Sequence, residues 1–434
     1  MTTRTESRVF QRLDYEVRND KLHNTEDTLY WWSTAGRDLA RMMSAAEYPE
    51  ETQRQFLDFF RRTLSPRLGA RPDGMSGRSF MVWDGSPFEY SFELKGSSST
   101  PSVRFVVDLA QLRPPDSNYP LGISNTREVV DELAGKIPGF DDTWYWHLVK
   151  RFTHSDLASA EQKALAAKAG HQSSVLIGFD IHRTPSSRGE LLVMGKVYFV
   201  PCFAAALESK SRWQVVRSAI RQLPGVELQP NFLHGLSLIE EYLAEKPADW
   251  EDGAQYVATD FVEPAKARLK VYFQMAGCRF DDIWDYYTLG GRITGLDGDK
   301  ERFRELIELI IGPEPRDGTM LFHKNARHKT TTLYFSLSAD SPCPAPKINI
   351  YAPNFATNDE SVVRNLDSWL RKNSLNEGGV SMEDRIKTVF THRKLGEKTG
   401  IMTFIGMGRK ESSSTKELSI QVYVVPELYA NPRD

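Results

Sequence analysis

Two periodicities alternate along the chain: stretches in which every second residue is apolar, and longer ones in which apolar residues recur every three or four positions. The first kind predicts strands, and these arrive in groups joined by short turns. They cover residues 79–84, 88–95 and 103–108; 175–182 with 191–199; 255–262 with 267–275; 330–337 with 347–351; and 402–407 with 418–425. The second kind predicts helices between the groups, over 25–43, 50–64, 126–136, 155–169, 236–245, 300–311 and 362–372. Tyr198, Tyr272, Tyr351 and Tyr423 sit on the second strand of successive groups at intervals of 74, 79 and 72 residues, the mark of an internal repeat. Paired strands joined by a turn and followed by helices imply antiparallel hairpins with helices outside. The reading is an α+β fold in which five such units close into one barrel of about ten antiparallel strands, with a solvent-filled lumen and no exposed sheet edges. Ser/Thr/Gly-rich stretches at 95–102 and 411–416 read as hairpin loops. No low-complexity linker divides the chain, so residues 1–434 form a single domain, with about the first 24 residues as a flexible or helical extension.

Polar residues on these strands are the informative ones. Residues i, i+2 and i+4 of a strand share a face, and one face carries cations and phenols together: Lys196 with Tyr198; Arg268, Lys270 and Tyr272; Lys347, Asn349 and Tyr351. The other face, such as Val197 and Phe199 or Leu269 and Val271, is apolar and belongs under the helices. The cationic face therefore points into the barrel, where unpaired charges are costly unless an anion sits among them. A lumen holding Arg104, Lys196, Arg268, Lys270 and Lys347 fits a polyanion such as a diphosphate. The bland alternative, an ordinary solvated strand face, is weakened by the repetition of Lys/Arg with Tyr two residues on. Tyrosine rings around a diphosphate also suit chemistry that passes through a carbocation, because aromatic faces attract a cation and keep water from it.

Composition narrows the setting. Of the 434 residues 40% are apolar and 26% charged, enough for a sizeable core, and the net charge of −3 gives no global attraction to nucleic acid or an anionic membrane. Cys202, Cys278 and Cys343 are an odd number at wide spacing without a CxxC pair, which argues against a disulfide framework and a zinc site and suits a reducing cytoplasm. The N-terminus has no apolar signal region, and the longest apolar run, residues 197–207, is broken by Pro201 and too short to span a bilayer.

The residues resemble the fungal dimethylallyltryptophan-synthase family of aromatic prenyltransferases, built on the αββα barrel known as the ABBA fold. The likeness runs from Tyr30-Trp31-Trp32 to Val422-Tyr423 and is most specific at Ser86-Pro87-Phe88-Glu89, Val103-Arg104-Phe105, the stretch from Pro264 to Tyr272, and Thr288-Leu289-Gly290-Gly291-Arg292. The resemblance implies transfer of a prenyl group, from dimethylallyl diphosphate or a longer donor such as geranyl diphosphate, to the indole ring of a tryptophan-derived compound such as a cyclic dipeptide or indole alkaloid. It implies that Glu89 accepts a hydrogen bond from the indole N–H, that Arg104, Lys196, Arg268, Lys270 and Lys347 hold the diphosphate, and that Tyr198, Tyr272 and Tyr423 shield the carbocation. Family members often carry a lysine that takes the ring proton where this chain reads Phe179-Asp180-Ile181-His182, which makes His182 the candidate base. Asn349 replaces one shield tyrosine, with Tyr351 one pleat further on as a substitute, and Phe404 keeps a ring without the hydroxyl. Either Gln421 or Tyr423 fills the last position. Gln255 stands where tryptophan-specific members place an arginine for the amino-acid carboxylate, and Thr332 stands near a position that is often bulky and limits donor length. Met81 completes the pocket with Gln255, Thr332, Asn349, Phe404 and Gln421.

The family requires no metal, so magnesium is expected to be optional. Asp281-Asp282-Ile283-Trp284-Asp285 nonetheless has the DDxxD spacing of magnesium-diphosphate sites in other prenyl-transferring enzymes; the plainer reading is that these acids favour the positive end of a helix. Free tryptophan or a non-indole aromatic are the alternative acceptors. A five-unit guanidino-modifying enzyme would need a paired Cys and His, which do not stand out, and a non-catalytic carrier of a phosphorylated isoprenoid would leave Glu89 and the tyrosines without a task. No nucleic acid or membrane partner is expected, and the chain is expected to act as a monomer or homodimer on small molecules.

Overall fold

The structure is a computed structural model, and it describes residues 7–19, 25–72, 78–109, 120–186, 190–275, 279–312, 331–412 and 415–433. Ten strands close into one barrel: β1 (Phe88–Lys95), β2 (Ser102–Val107), β3 (Val175–Ile181), β4 (Val193–Phe199), β5 (Ala254–Asp260), β6 (Leu269–Gln274), β7 (Thr332–Ser338), β8 (Ser341–Tyr351), β9 (Met402–Ser412) and β10 (Thr415–Val424). Each strand pairs antiparallel with its sequence neighbours, and β1 closes the ring against β10. The alternation seen in the sequence becomes an inside-out arrangement. Phe88, Tyr90 and Phe92 of β1, Phe105 of β2 and Phe179 of β3 face outward and are buried under helices, with Phe105 stacked on Phe179 at 5.1 Å. Each such side chain removed from water contributes about 1.5–3 kcal/mol, so the core is a shell between barrel wall and helices while the lumen stays polar.

Three elements differ from the sequence reading. Residues 79–84 alternate like a strand but form turns, with the Ser79 N–H donating to Gly85 and that of Gly85 to Val82. A barrel closed by ten strands has no edge left to pair with them. The strand expected at 347–351 starts at Ser341; Pro342, Pro344 and Pro346 fall where β8 pairs with β7 but not yet with β9, whose pairing starts at Lys347. Their missing N–H groups are tolerated there. The helix expected over 25–43 is three pieces: Glu26–Trp31, a π-helical turn Trp32–Gly36, and Arg37–Ala45.

Within the N-terminal extension Arg8–Asn19 is a helix that buries Val9, Phe10, Leu13 and Val17, with Phe10 stacked on Trp32 at 4.7 Å. The hairpin loop expected at 95–102 joins β1 to β2, whereas the tip of the one at 411–416 lies outside the described residues, as do Cys278 and Thr330. No helix among the described residues is long and apolar enough to cross a membrane.

Candidate active site

Cross-strand register brings the inward residues into layers. Arg104 pairs with Ser91 and Asp180, Lys196 with Gly178 and Asp260, Lys270 with Ala258 and Ser336, and Lys347 with Tyr334 and Gly408. These four cations thus share one lumen, as the strand faces predict, with Arg268 just before β6, but carboxylates stand among them. Arg104 bonds Glu93 and lies 3.3 Å from Asp180, Lys196 bonds Asp180, and Arg268 donates to Asp260 at 2.8 Å. Burial alone would raise the Asp180 carboxyl, yet Arg104 and Lys196 hold it well below the usual carboxylate range. With Glu89, which lines both chambers, four carboxylates face the five cations, so positive charge is in excess, and the cations without a carboxylate partner among the described residues are two lysines. Among the described residues Lys347 donates only to the neutral Gln421 Oε1, at 2.6 Å. Lys270 has no ion pair among the described residues; its Nζ lies 5.5 Å from the Tyr334 ring. Burial pulls the Lys347 ammonium down to about 7, and burial with Lys196 and Arg268 nearby pushes Lys270 well below its ordinary value.

Two adjoining chambers occupy the barrel. The deep one is lined by Arg104, Asp180, Lys196 and Lys270 with Ser91 and Gln421. The wide one, about 200 Å³, is lined by Met81, Leu176, Gln255, Gln274, Thr332, Asn349 and Phe404. Glu89, Tyr198, Tyr272 and Tyr423 line both, so the carboxylate and three phenols mark the boundary between them. Glu89 is the only carboxylate on the wide chamber's wall among the described residues. The rings form two strings: Tyr272 with Tyr198 at 6.0 Å and Tyr334 at 4.8 Å, and Phe404 with Tyr351 at 4.9 Å and Tyr423 at 6.0 Å.

The structure separates residues that the sequence grouped together. Of the alternatives at the end of β10, Tyr423 lines both chambers while Gln421 lies one pleat deeper, bridging Lys347 and Ser91 Oγ. Tyr351 is buried behind Phe404 and lines neither chamber; Tyr334, which the sequence reading missed, lines the deep one beside Tyr272. Its signal was present, since Thr332 and Tyr334 share a face of β7. Arg268 lies beyond the deep chamber's lining with its side chain 34% exposed. His182 is not brought to the site: it is exposed, follows the end of β3 and lines neither chamber. The inward positions of β3 run from Leu176 at the wide chamber through Gly178 to Asp180 at the deep one, so His182 has the right parity but falls past the cations. The counter-ions Glu93, Asp180 and Asp260 were the other omission, each an acid at an inward position on the first strand of a unit.

A family model described as tryptophan dimethylallyltransferase matches residues 27–385. The prenyltransferase phnF of Penicillium herquei is 53% identical over 94% of this chain and 93% of its own length. The DMATS-type prenyltransferase mfmD of Annulohypoxylon moriforme is 47% identical over the full length of both. The chain belongs to the tryptophan dimethylallyltransferase family. It is an aromatic prenyltransferase, and the barrel is the family's fold: the crystal structure of NotF in complex with brevianamide F and DMSPP superposes with a TM-score of 0.78 at 20% identity, over 97% of this chain and 98% of that one.

Within this tryptophan dimethylallyltransferase barrel the DDxxD acids line neither chamber. Their helix, Phe280–Tyr287, packs Tyr286 on the outer-wall residues Phe273 and Phe335. Asp285 accepts from the Tyr242 hydroxyl at 2.8 Å and Lys246 at 2.7 Å, and Asp281 and Asp282 lie 3.6 Å and 4.0 Å from Arg304 and Arg279. A variant with Asp281, Asp282 and Asp285 all changed to Asn is expected to keep its turnover in excess chelator and to lose about 1 kcal/mol of stability or less, since exposed ion pairs contribute little. Loss of all product, restored by magnesium, would instead make these acids metal ligands.

The two unneutralised lysines give a pH dependence with a definite sign. Above pH 7 Lys347 is mostly neutral in the empty barrel, and an anion beside it favours the ammonium. Binding of a prenyl thiodiphosphate at pH 8 is therefore expected to take up protons, approaching one per site from Lys347 alone, and to weaken as pH rises further. Titration calorimetry in buffers of different ionisation enthalpy measures this directly; binding without proton uptake at pH 8 would contradict it.

Proposed function

We propose that the chain transfers the prenyl group of dimethylallyl diphosphate to the indole ring of a neutral tryptophan-derived compound, such as a cyclic dipeptide or indole alkaloid, without needing a divalent metal. The observation that carries the reading is the stacking order in one lumen: cations in excess of carboxylates, then tyrosine rings, then a chamber with a single carboxylate. The diphosphate would lie among Arg104, Lys196, Lys270 and Lys347, with Arg268 at the outer end. Its allylic C–O bond breaks with the electron pair going to the diphosphate, whose growing charge these fixed cations meet. Tyr198, Tyr272, Tyr334 and Tyr423 face the allylic cation and exclude water. A ring carbon of the acceptor supplies the pair for the new C–C bond, and the proton at that carbon must then leave. With His182 remote, Glu89 is the group placed both to accept the acceptor's N–H and to take up that proton. The products are the prenylated aromatic, diphosphate and one proton.

Two neutral amides line the wide chamber together: Gln255 Nε2 donates to Gln274 Oε1 at 3.0 Å, and neither offers a charge to an amino-acid carboxylate. Those amides also suit a phenolic aromatic whose hydroxyl would meet Glu89 as an N–H does, which is the second reading. A panel of free tryptophan, a cyclic tryptophan dipeptide and polyhydroxylated aromatics, run against donors of five and ten carbons with products read by mass spectrometry, tests both. The neutral acceptors are expected to exceed tryptophan by at least about tenfold in kcat/KM, because a carboxylate that gives up water to enter the wide chamber meets no cation on its wall among the described residues. Tryptophan as the best substrate would overturn this use of Gln255.

A further inference from the structure

Asn349 lies on the inward face of β8, opposite Thr332 of β7 and Gly406 of β9, and lines the wide chamber but not the deep one. It is 4% exposed, and its buried Oδ1 accepts no hydrogen bond among the described residues. A buried amide oxygen without a partner is destabilising, because the water it loses is replaced by nothing. The other two amides of this chamber, Gln255 and Gln274, share a hydrogen bond and reach solvent. The backbone beside Asn349 is also cut away for it: a Cβ on Gly406 would stand 2.6 Å from Asn349 Oδ1 and 3.2 Å from the Tyr423 ring. Asn349 and Gly406 thus form a polar notch bordered by Phe404 and Tyr423, three strands round the wall from Glu89 on β1.

We propose that Asn349 is a specificity-determining residue whose carboxamide hydrogen-bonds an oxygen function of the aromatic acceptor, a carbonyl or a hydroxyl, at an edge of the ring system away from the group that meets Glu89. The inference rests on the wide chamber being the acceptor's. A carboxamide can donate to a carbonyl and, turned over, accept from a hydroxyl, so both chemistries fit one notch. It defines the substrate class: an aromatic with two polar groups on separate edges, one N–H or O–H for Glu89 and one oxygen for Asn349. A bare indole or a monohydroxylated ring would leave the amide unpaired and be discriminated against for that reason.

Matched acceptors that differ by one oxygen function test it: 2,7-dihydroxynaphthalene against 2-naphthol, and a cyclic tryptophan dipeptide against 3-methylindole. The wild type should favour the oxygenated member of at least one pair by about tenfold or more in kcat/KM. In Asn349→Leu, which preserves size, that preference ratio should fall to about one, with the melting temperature and affinity for a prenyl thiodiphosphate held. Gly406→Ala, which pushes the amide aside, should lower the ratio in the same sense and serves if the leucine variant fails to fold. Equal rates for both members of both pairs in the wild type, or an undiminished preference in both variants, would overturn the assignment of Asn349. A wild type that prenylates no aromatic at all would instead overturn the reading of the chamber on which it rests.

Discussion

Replacing Lys270 by glutamine is expected to lower kcat about a hundred- to a thousandfold, the cost of removing one fixed charge from a leaving group whose negative charge grows in the transition state. Lys270, like Lys347, has no carboxylate in ion-pair range among the described residues, and Lys196 and Arg268 add to its discomfort. Its positive charge is therefore unspent until an anion arrives. The same reasoning predicts that the glutamine variant folds at least as stably as the parent, because an uncompensated buried ammonium is removed. Arg268, already neutralised by Asp260 and a third exposed, should cost less when changed to glutamine. Steady-state kinetics and thermal melts of the two variants check the ordering. Wild-type turnover in both would place this face of β6 outside the donor site.

Replacing Glu89 by alanine is expected to abolish most turnover, by about two to four orders of magnitude, the usual range for a general acid or base in position. No second carboxylate lines the wide chamber among the described residues to take its place. β1 fixes Glu89 through register with Val106 on one side, two residues before the Ser91–Tyr423 pair on the other, at the boundary of the two chambers. The loss should fall on the acceptor: affinity for a prenyl thiodiphosphate is expected to be nearly unchanged, and so is the melting temperature. Near-normal prenylation of any aromatic by the alanine variant would remove Glu89 from the mechanism, and a loss of donor binding equal to the loss of turnover would move it to the diphosphate.

The barrel was legible because its physics is local. A strand packed under helices must be apolar on one face, and Val197, Phe199, Leu269 and Val271 declare which face that is; the period of two then sends Lys196, Tyr198, Lys270 and Tyr272 inward without knowledge of their neighbours. The recurrence of tyrosine on the second strand of four of the five units carried the same information round the ring. Residues 79–84 were misread because alternation specifies a strand only where an edge is free to receive it, and closure of the barrel is a property of all ten strands together.

The chemistry of the lumen was legible in kind and not in arrangement. From the sequence the cations could be gathered, but their partners on β1, β3 and β5 could not, since Arg104 and Lys196 meet Asp180, and Arg268 meets Asp260, only once the strands are in register. Which lysines remain unneutralised follows from that pairing alone. Depth along the barrel axis was equally hidden. His182 shares a face with Asp180 and Leu176, and parity cannot say that the strand has by then passed the site; Tyr351 has the spacing of a shield residue but lies behind Phe404, while Tyr334 fills the wall from β7. Side-chain parity repeats every two residues and is written in the sequence, whereas the level at which each strand crosses the lumen is set by the shear of the closed sheet, which exists only in the folded barrel.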